Sequence, residues 1–244
     1  KTAMAMDNTT RATVLKYEPN EFARIWREKL IEHKFDIETS LLFGSQGTVD
    51  SINYTEGAVD FITGYGNIFS GSGMGGTGSK AQDDFLDDIS NFLDPRYNNA
   101  NATLFMVSTD VYNWLHKLSG YFSANVSKVA DGSGGSSTAL GRADFSIGNK
   151  KSVFGVDITQ IYTPYGVMNV SRNIHLDGTT IKMLGVNMKY CAYRPLVGNG
   201  LNRDTAVYVG VQTLENSGVD RRVDLIQTEA GMEWQMPEAH AVWK

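Results

Sequence analysis

The chain has 244 residues, 41% of them hydrophobic and 20% charged, with 25 glycines against 5 prolines, a composition ordinary for a folded protein with room for a sizeable core. A net charge of −5 and a pI near 5.4 argue against a tightly held nucleic acid, a task that shows a pI above ~9 or a basic stripe. No apolar run approaches the ~18 residues of a membrane span, and the single cysteine, Cys191, excludes an intrachain disulfide framework and fits a reducing compartment.

Because the chain begins at Lys1 rather than methionine, processing and missing upstream residues, with any targeting signal they carried, both stay open. Residues 9–17, TTRATVLKY, alternate Thr, Val and Leu with charged side chains and predict one strand of an exposed ribbon. Its partner strand is not evident. The stretch from Asn20 to Phe43 then carries the one long helical apolar period in the chain: Phe22, Trp26 and Leu30 fall four apart, with Ile25 widening the stripe. After the polar run Glu32, His33, Lys34, a second stripe of Ile37, Leu41 and Leu42 lies on a shifted face, which predicts a helix serving two bodies. Pro19 suits a first turn, Asn20 can cap, Glu21 meets the unpaired N–H groups, and Gly44 ends the run. Such a helix is roughly 36 Å long, a spine.

Beyond a turn-rich stretch from Gly44 to Gly57, a short apolar patch (Ala58 to Ile62) leads into GYGNIFSGSGMGGTGSK. Gly71, Gly73 and Gly76 satisfy G-x-G-x-x-G, yet residues 67–70 make a poor strand and no acidic residue stands in a following βαβ unit, so the run reads as a surface loop rather than a dinucleotide cradle. The order Gly78-Ser79-Lys80 also fails a P-loop. Residues 81–93 predict an amphipathic helix with Phe85, Ile89 and Phe92 inward and Asp83 and Asp84 in its first turn, ended by Asp94-Pro95. Residues 103–107 predict a strand, followed by a Ser108-Thr109-Asp110 cap and a helix through Leu118. The Gly/Ser stretch 130–141 reads as a loop that buries nothing.

From Lys151 onward the pattern is strands: VFGVDITQIYT and VMNVS about Pro164-Tyr165-Gly166, then TIKMLGV, MKYCAYRPL and AVYVGVQTL. Residues 222–236 predict one long strand with a bulge at Gly231, and EAHAVWK the sheet edge. Cys191, between tyrosines, reads as a buried strand thiol. The histidines 33, 116, 175 and 240 occupy separate elements without ligand spacing, G-x-S-x-G is absent, and the reading is no catalytic, metal or cofactor site. Five Asn-x-Ser/Thr sequons, at Asn8, Asn53, Asn101, Asn125 and Asn169, matter only in a secreted eukaryotic protein.

Three stretches together resemble the major capsid proteins of tailed bacteriophages, the Johnson fold of the Hong Kong phage capsid. They are DNTTRATVLKYEPNEFARIWREKLIEHKFDIETSLLFG, the strand-helix join Phe105 to Trp114, and the set TPYGVMNVSRNIHL, KYCAYRPL and TEAGMEWQMPEAHAVW. The resemblance implies an α+β fold in which 1–18 are the remnant of an extended loop, 19–108 a peripheral domain with spine helix and Gly-rich loop, 109–200 an axial domain, and 201–244 return strands of the peripheral domain. The family's N-terminal arm and first extended-loop strand have no counterpart, and residues 197–218 exceed the expected length. The function implied is structural: a virion protein assembled in a bacterial host, forming hexamers and pentamers of an icosahedral shell around double-stranded DNA held without sequence specificity. Partners implied are further copies of itself and decoration, portal and scaffolding proteins, with no cofactor and no membrane. Arg11, Thr13, Leu15 and Lys16 are the expected intersubunit contacts, since one face of their ribbon has no visible partner; the alternative is an edge strand guarded by charge. An encapsulin-type compartment and a secreted β-rich binding domain stay open as other readings.

Overall fold

A computed structural model describes residues 1–14, 21–75, 80, 82–96, 103–126, 146–153 and 156–244. In chain order its elements are strand β1 (Thr2–Asp7), helices α1 (Asn8–Ala12) and α2 (Glu21–Phe43), strands β2 (Gly47–Val49) and β3 (Ile52–Tyr54), helix α3 (Ala58–Tyr65), strand β4 (Asn67–Phe69), helix α4 (Gln82–Phe92), strand β5 (Thr103–Val107) and helix α5 (Thr109–Val126). Strands β6 (Ser146–Val153), β7 (Val156–Thr163), β8 (Gly166–Arg172), β9 (Met183–Asn187), β10 (Cys191–Pro195), β11 (Val197–Gly198), β12 (Leu201–Asn202) and β13 (Ala206–Gln212) follow. Helix α6 (Leu214–Ser217), β14 (Arg221–Gln227), β15 (Ala230–Trp234) and β16 (Ala241–Trp243) complete an α+β chain. The contacts divide it into two compact units, Lys1–Asp60 with Tyr193–Glu233, and Phe61–Ala192 with Trp234–Lys244.

The first unit is built on the sheet β1-β14-β13. In β1, Thr2, Met4 and Met6 point inward while Ala3, Ala5 and Asp7 face out, the period-two pattern of a half-buried strand. It runs antiparallel to β14, from Thr2 opposite Ile226 to Asp7 opposite Arg221. The strand expected over 9–17 is therefore displaced: the chain is extended before Asn8 and helical from Asn8 to Ala12, because Thr13 closes a local turn by donating its N–H and its hydroxyl to the Thr9 carbonyl at 3.1 and 2.8 Å. Pro19 and Asn20, expected at the spine helix's start, lie outside the described residues.

Helix α2 buries only His33 and Leu42; the stripes Phe22, Ile25, Trp26, Leu30 and Ile37, Leu41 are half-buried. His33 sits within the run that reads as polar and is 2% exposed. Its Nδ1 meets the Thr2 hydroxyl at 2.8 Å, its Nε2 the Thr228 hydroxyl at 2.8 Å, and Thr228 in turn meets Thr205 at 3.0 Å. Thr205 holds φ +54°, a left-handed conformation unusual for a β-branched residue, so this polar chain fixes a strained turn. Gly44 ends α2 by donating its N–H to the Ser40 carbonyl at 2.9 Å, and a Cβ there would lie 2.8 Å from the Thr55 carbonyl. Its partner across the neck, Gly57, donates to the Gly44 carbonyl at 2.8 Å, so the two glycines answer close backbone approach.

The tail expected as one strand bulged at Gly231 is two strands, β14 and β15, parted at Thr228 and Glu229. Those two side chains are tied elsewhere, Thr228 to His33 and Glu229 to Arg203 at 2.6 Å. At Gly231 a Cβ would meet the Thr55 hydroxyl at 2.9 Å, so the glycine serves a close approach.

The second unit is a seven-stranded mixed sheet in the order β4-β16-β9-β5-β8-β7-β6. Helices α4 and α5 pack on it as their periodicity predicts, burying Phe85, Ile89 and Phe92 from one and Val111, Trp114 and Leu115 from the other against Phe105, Met168, Met183 and Trp243. The aromatic rings meet edge-on: Phe85 with Trp114 at 5.3 Å, Phe92 with Phe105 at 5.7 Å and with Trp243 at 5.8 Å, the arrangement ring quadrupoles favour. Two expectations are corrected here. Residues 67–69 do form a strand, parallel to β16, and β16 lies between β4 and β9 rather than at the edge, fully buried.

The glycine-rich run thus has a strand before it and a helix after it, and a dinucleotide role fails for another reason. Asp83 and Asp84 occupy the first turn of α4, where phosphate would need positive potential. Instead Lys80, its side chain 7% exposed, pairs with Asp88 at 2.5 Å and donates to the Ser70 carbonyl at 2.6 Å, closing the loop back on its own unit.

Candidate assembly interface

The two units differ in how they bury apolar surface. Among the described residues the second carries nearly all the buried hydrophobic side chains, whereas the first buries only Met4, Met6, Leu42, Ala58 and Ile226. That same first unit holds most of the exposed large hydrophobics, and nine of them fall on three elements. On α2 they are Ile31 and Phe35. On the β2–β3 hairpin, Val49 faces Ile52 and Gly47 faces Tyr54 across the strands, so Val49, Ile52 and Tyr54 share one face at 52–58% exposure. The opposite face is polar, with the Thr48 hydroxyl donating to Asn53 at 2.9 Å. A two-stranded hairpin standing alone in water is marginal.

The third element is β13, the outer strand of its sheet. It pairs with β14 through Ala206–Tyr208, then slips register before Gln212 at Gly210, φ +68°, a bulge. Buried Asp224 holds that bulge: its carboxylate accepts the Gly210 N–H at 2.7 Å and the Arg222 guanidinium at 2.9 Å. Val207, Tyr208, Val209 and Val211 are all exposed. Sequence reading found β13 as a strand and missed it as a surface; the available signal was seven residues with neither charge nor proline.

Of the expected contact residues, Arg11 and Thr13 are exposed at the end of α1, and Leu15 and Lys16 lie outside the described residues. Arg11 donates to Asn8 at 3.1 Å and lies 5.3 Å from the centre of the Phe22 ring, which Arg222 also approaches at 5.4 Å, two cation–π contacts on one ring. Asn8 donates to Asp220 at 2.6 Å.

The histidines and Cys191 are the other candidate groups. His240 is fully buried; its Nδ1 accepts the Asn187 N–H at 3.2 Å and its Nε2–H donates to the Gln235 carbonyl at 3.1 Å, and burial holds its pKa below the usual histidine value. His33 is shifted the same way by burial, with Asp36 opposing weakly. Cys191 is half-buried in β10, and loss of water raises its thiol pKa, which disfavours the nucleophilic thiolate. His116 lies against the Tyr112 ring at 4.6 Å. Among the described residues no group of three or more His, Cys, Asp or Glu could hold a metal ion, and no helix is long and apolar enough to cross a membrane.

Comparison with solved structures gives the fold. The chain is similar to the SrpI encapsulin of Synechococcus elongatus, at TM-score 0.57 and 10% identity over 100% of this chain and 71% of that one. It is similar to the capsid of Cyanophage P-SCSP1u, at TM-score 0.51 and 10% identity over 99% and 70%, and to the capsid of an empty GTA particle, at TM-score 0.50 and 12% identity over 100% and 72%. The architecture is the Johnson-type capsid fold. No curated protein matches the chain. The family model described as SU10 major capsid protein matches residues 1–244.

Proposed function

This chain belongs to the SU10 major capsid protein family, and from that premise we propose that its copies form pentamers and hexamers closing into an icosahedral shell around double-stranded DNA, assembled in a bacterial host's cytoplasm. The observation that carries this reading is the inversion in the first unit, which exposes more large apolar side chains than it buries; further copies supply the missing cover. The peripheral role falls to that unit and the axial role to the one built on the seven-stranded sheet. Arg11, Thr13, Leu15 and Lys16 are assigned to the contact between subunits. A net charge of −5 keeps packaged DNA loosely held, because a like-charged wall releases no phosphate counterions. Decoration, portal and scaffolding proteins are the expected further partners.

Light scattering and negative-stain imaging of the purified chain test the proposal. Closed particles are expected, each subunit burying well over ~2,000 Å² against its neighbours, with DNA rather than a cargo enzyme inside those recovered from infected cells. A stable monomer at every concentration would overturn it.

A further inference from the structure

An open sheet edge presents a row of unpaired N–H and C=O groups, and proteins guard it with lysine, proline, inward charges or shortness. The edge strand β6 of the second unit is guarded: it carries Lys150 and Lys151, and Lys150 pairs with Asp157 at 2.6 Å. The edge strand β13 is unguarded. Its sequence AVYVGVQ has no charge and no proline, and its side chains are exposed on both faces, Val207 and Val209 at 47% and 64% with Tyr208 at 42%. The bulge at Gly210 is fixed by Asp224 from the neighbouring strand, which leaves Ala206–Tyr208 in regular register and Val209 as the last residue of the edge before the bulge.

The β2–β3 hairpin in the same unit has the complementary lack: two short strands, an apolar face without cover, and a tip at Asp50 and Ser51 in the left-handed region at φ 50° and 64°. We infer that, in the particle, the β2–β3 hairpin of a second copy adds to the open edge of β13 by main-chain pairing along Ala206–Val209. This rests on the assembly reading above. Three arguments favour a second copy as occupant. Copies that each carry a net charge of −5 repel unless they meet through uncharged faces, and β13 has no charge while the hairpin strands carry none either. A polyanion gains nothing from an edge without lysine or arginine. A ring of identical copies also needs two different surfaces that fit each other, and the unit offers in β13 an edge strand without charge or proline and in β2–β3 an apolar hairpin, the two halves of strand addition.

Hydrogen exchange of the wild-type chain, assembled and dissociated, reads the pairing without a substitution. Amides 206–209 should slow by at least about tenfold on assembly while those of β6 stay unchanged; particles that form with no slowing at β13 overturn the inference and leave the capsid reading standing. Failure of the wild type to form particles strikes the capsid reading instead. A second measurement fixes the occupant: in a Cys191→Ser background, Val209→Cys and Ile52→Cys chains are mixed, assembled and oxidised. A disulfide joining the two kinds of chain is expected; Val209→Cys chains joined only to each other, or no joining in intact particles, refute the hairpin as partner.

Discussion

His33 offers the sharpest test of how the first unit holds together. Replacing it by Gln removes a ring that bridges Thr2 at 2.8 Å and Thr228 at 2.8 Å. Thr228 keeps Thr205, but the Thr2 hydroxyl, 7% exposed, loses this bond, and a buried hydroxyl left unpaired costs about 1–3 kcal/mol. Titration gives a second, sign-bearing readout. Burial lowers the folded pKa of His33 below the ordinary histidine value of 6.5, so the unfolded chain binds the proton first as pH falls. The stability this group contributes is fully present above pH 6.5 and is lost as pH falls toward the folded value, at up to about 1.4 kcal/mol per pH unit. His240 has the same sign. Glu56 has the opposite one: burial, then Asp60, raises its pKa, so its contribution grows as pH falls. Because Glu56 and His240 are common to both proteins, the difference between wild type and His33→Gln isolates His33. Opening free energies from exchange of β1 and β14 amides, followed downward from about pH 7.5 to pH 5.5, should fall more steeply in wild type than in the variant. Identical slopes, or a steeper fall in the variant than in the wild type, would refute the argument.

Trp243→Ala should cost about 3–5 kcal/mol by urea unfolding, since the ring is fully buried and stacks on Phe69 at 4.9 Å; Trp243→Phe should cost only about 1 kcal/mol, the loss of the indole N–H donated to Asp88 at 3.0 Å. Asp224→Ala should cost about 2–4 kcal/mol, leaving the Gly210 N–H and Arg222 without their carboxylate, and should loosen β13 and β14 in hydrogen exchange; Asp224→Asn, which keeps an acceptor for Gly210, should recover part of the loss.

What could be read from the residues was what has a local cause. Helix α2 shows itself because Phe22, Trp26 and Leu30 repeat at the helical period, and α4 and the β5–α5 join because their inward residues do the same. The strand β1 escaped because TAMAMD alternates only small and flexible side chains, a weak β signal, while residues 9–17 alternate more strongly and, where described, form no strand. Strands β4 and β16 are three residues each, too short to carry a pattern, and their parallel pairing joins Asn67 to Ala241 across the length of the chain. His33 looked polar because burial of a histidine depends on two threonines, one 31 and the other 195 residues away. The candidate interface was hidden for the same reason: AVYVGVQ reads as a strand from its composition, but whether a strand is outermost depends on who pairs with it, which no local period reports.

The contrast between the two units makes physical sense for a shell protein. In the second, Phe85, Phe92, Phe105, Trp114 and Trp243 form a continuous aromatic core, and each buried side chain of that size contributes on the order of 2 kcal/mol. In the first, order comes largely from polar ties, the Thr2-His33-Thr228-Thr205 chain and the Asp224 carboxylate, which fix geometry while adding little net stability. The Asp224 tie to Gly210 sets the chain beside Val209, and Val209, Ile52 and Phe35 all stay exposed. In the proposed assembly, burial of those same side chains stabilises the unit and the particle together, so that a substitution weakening one weakens the other.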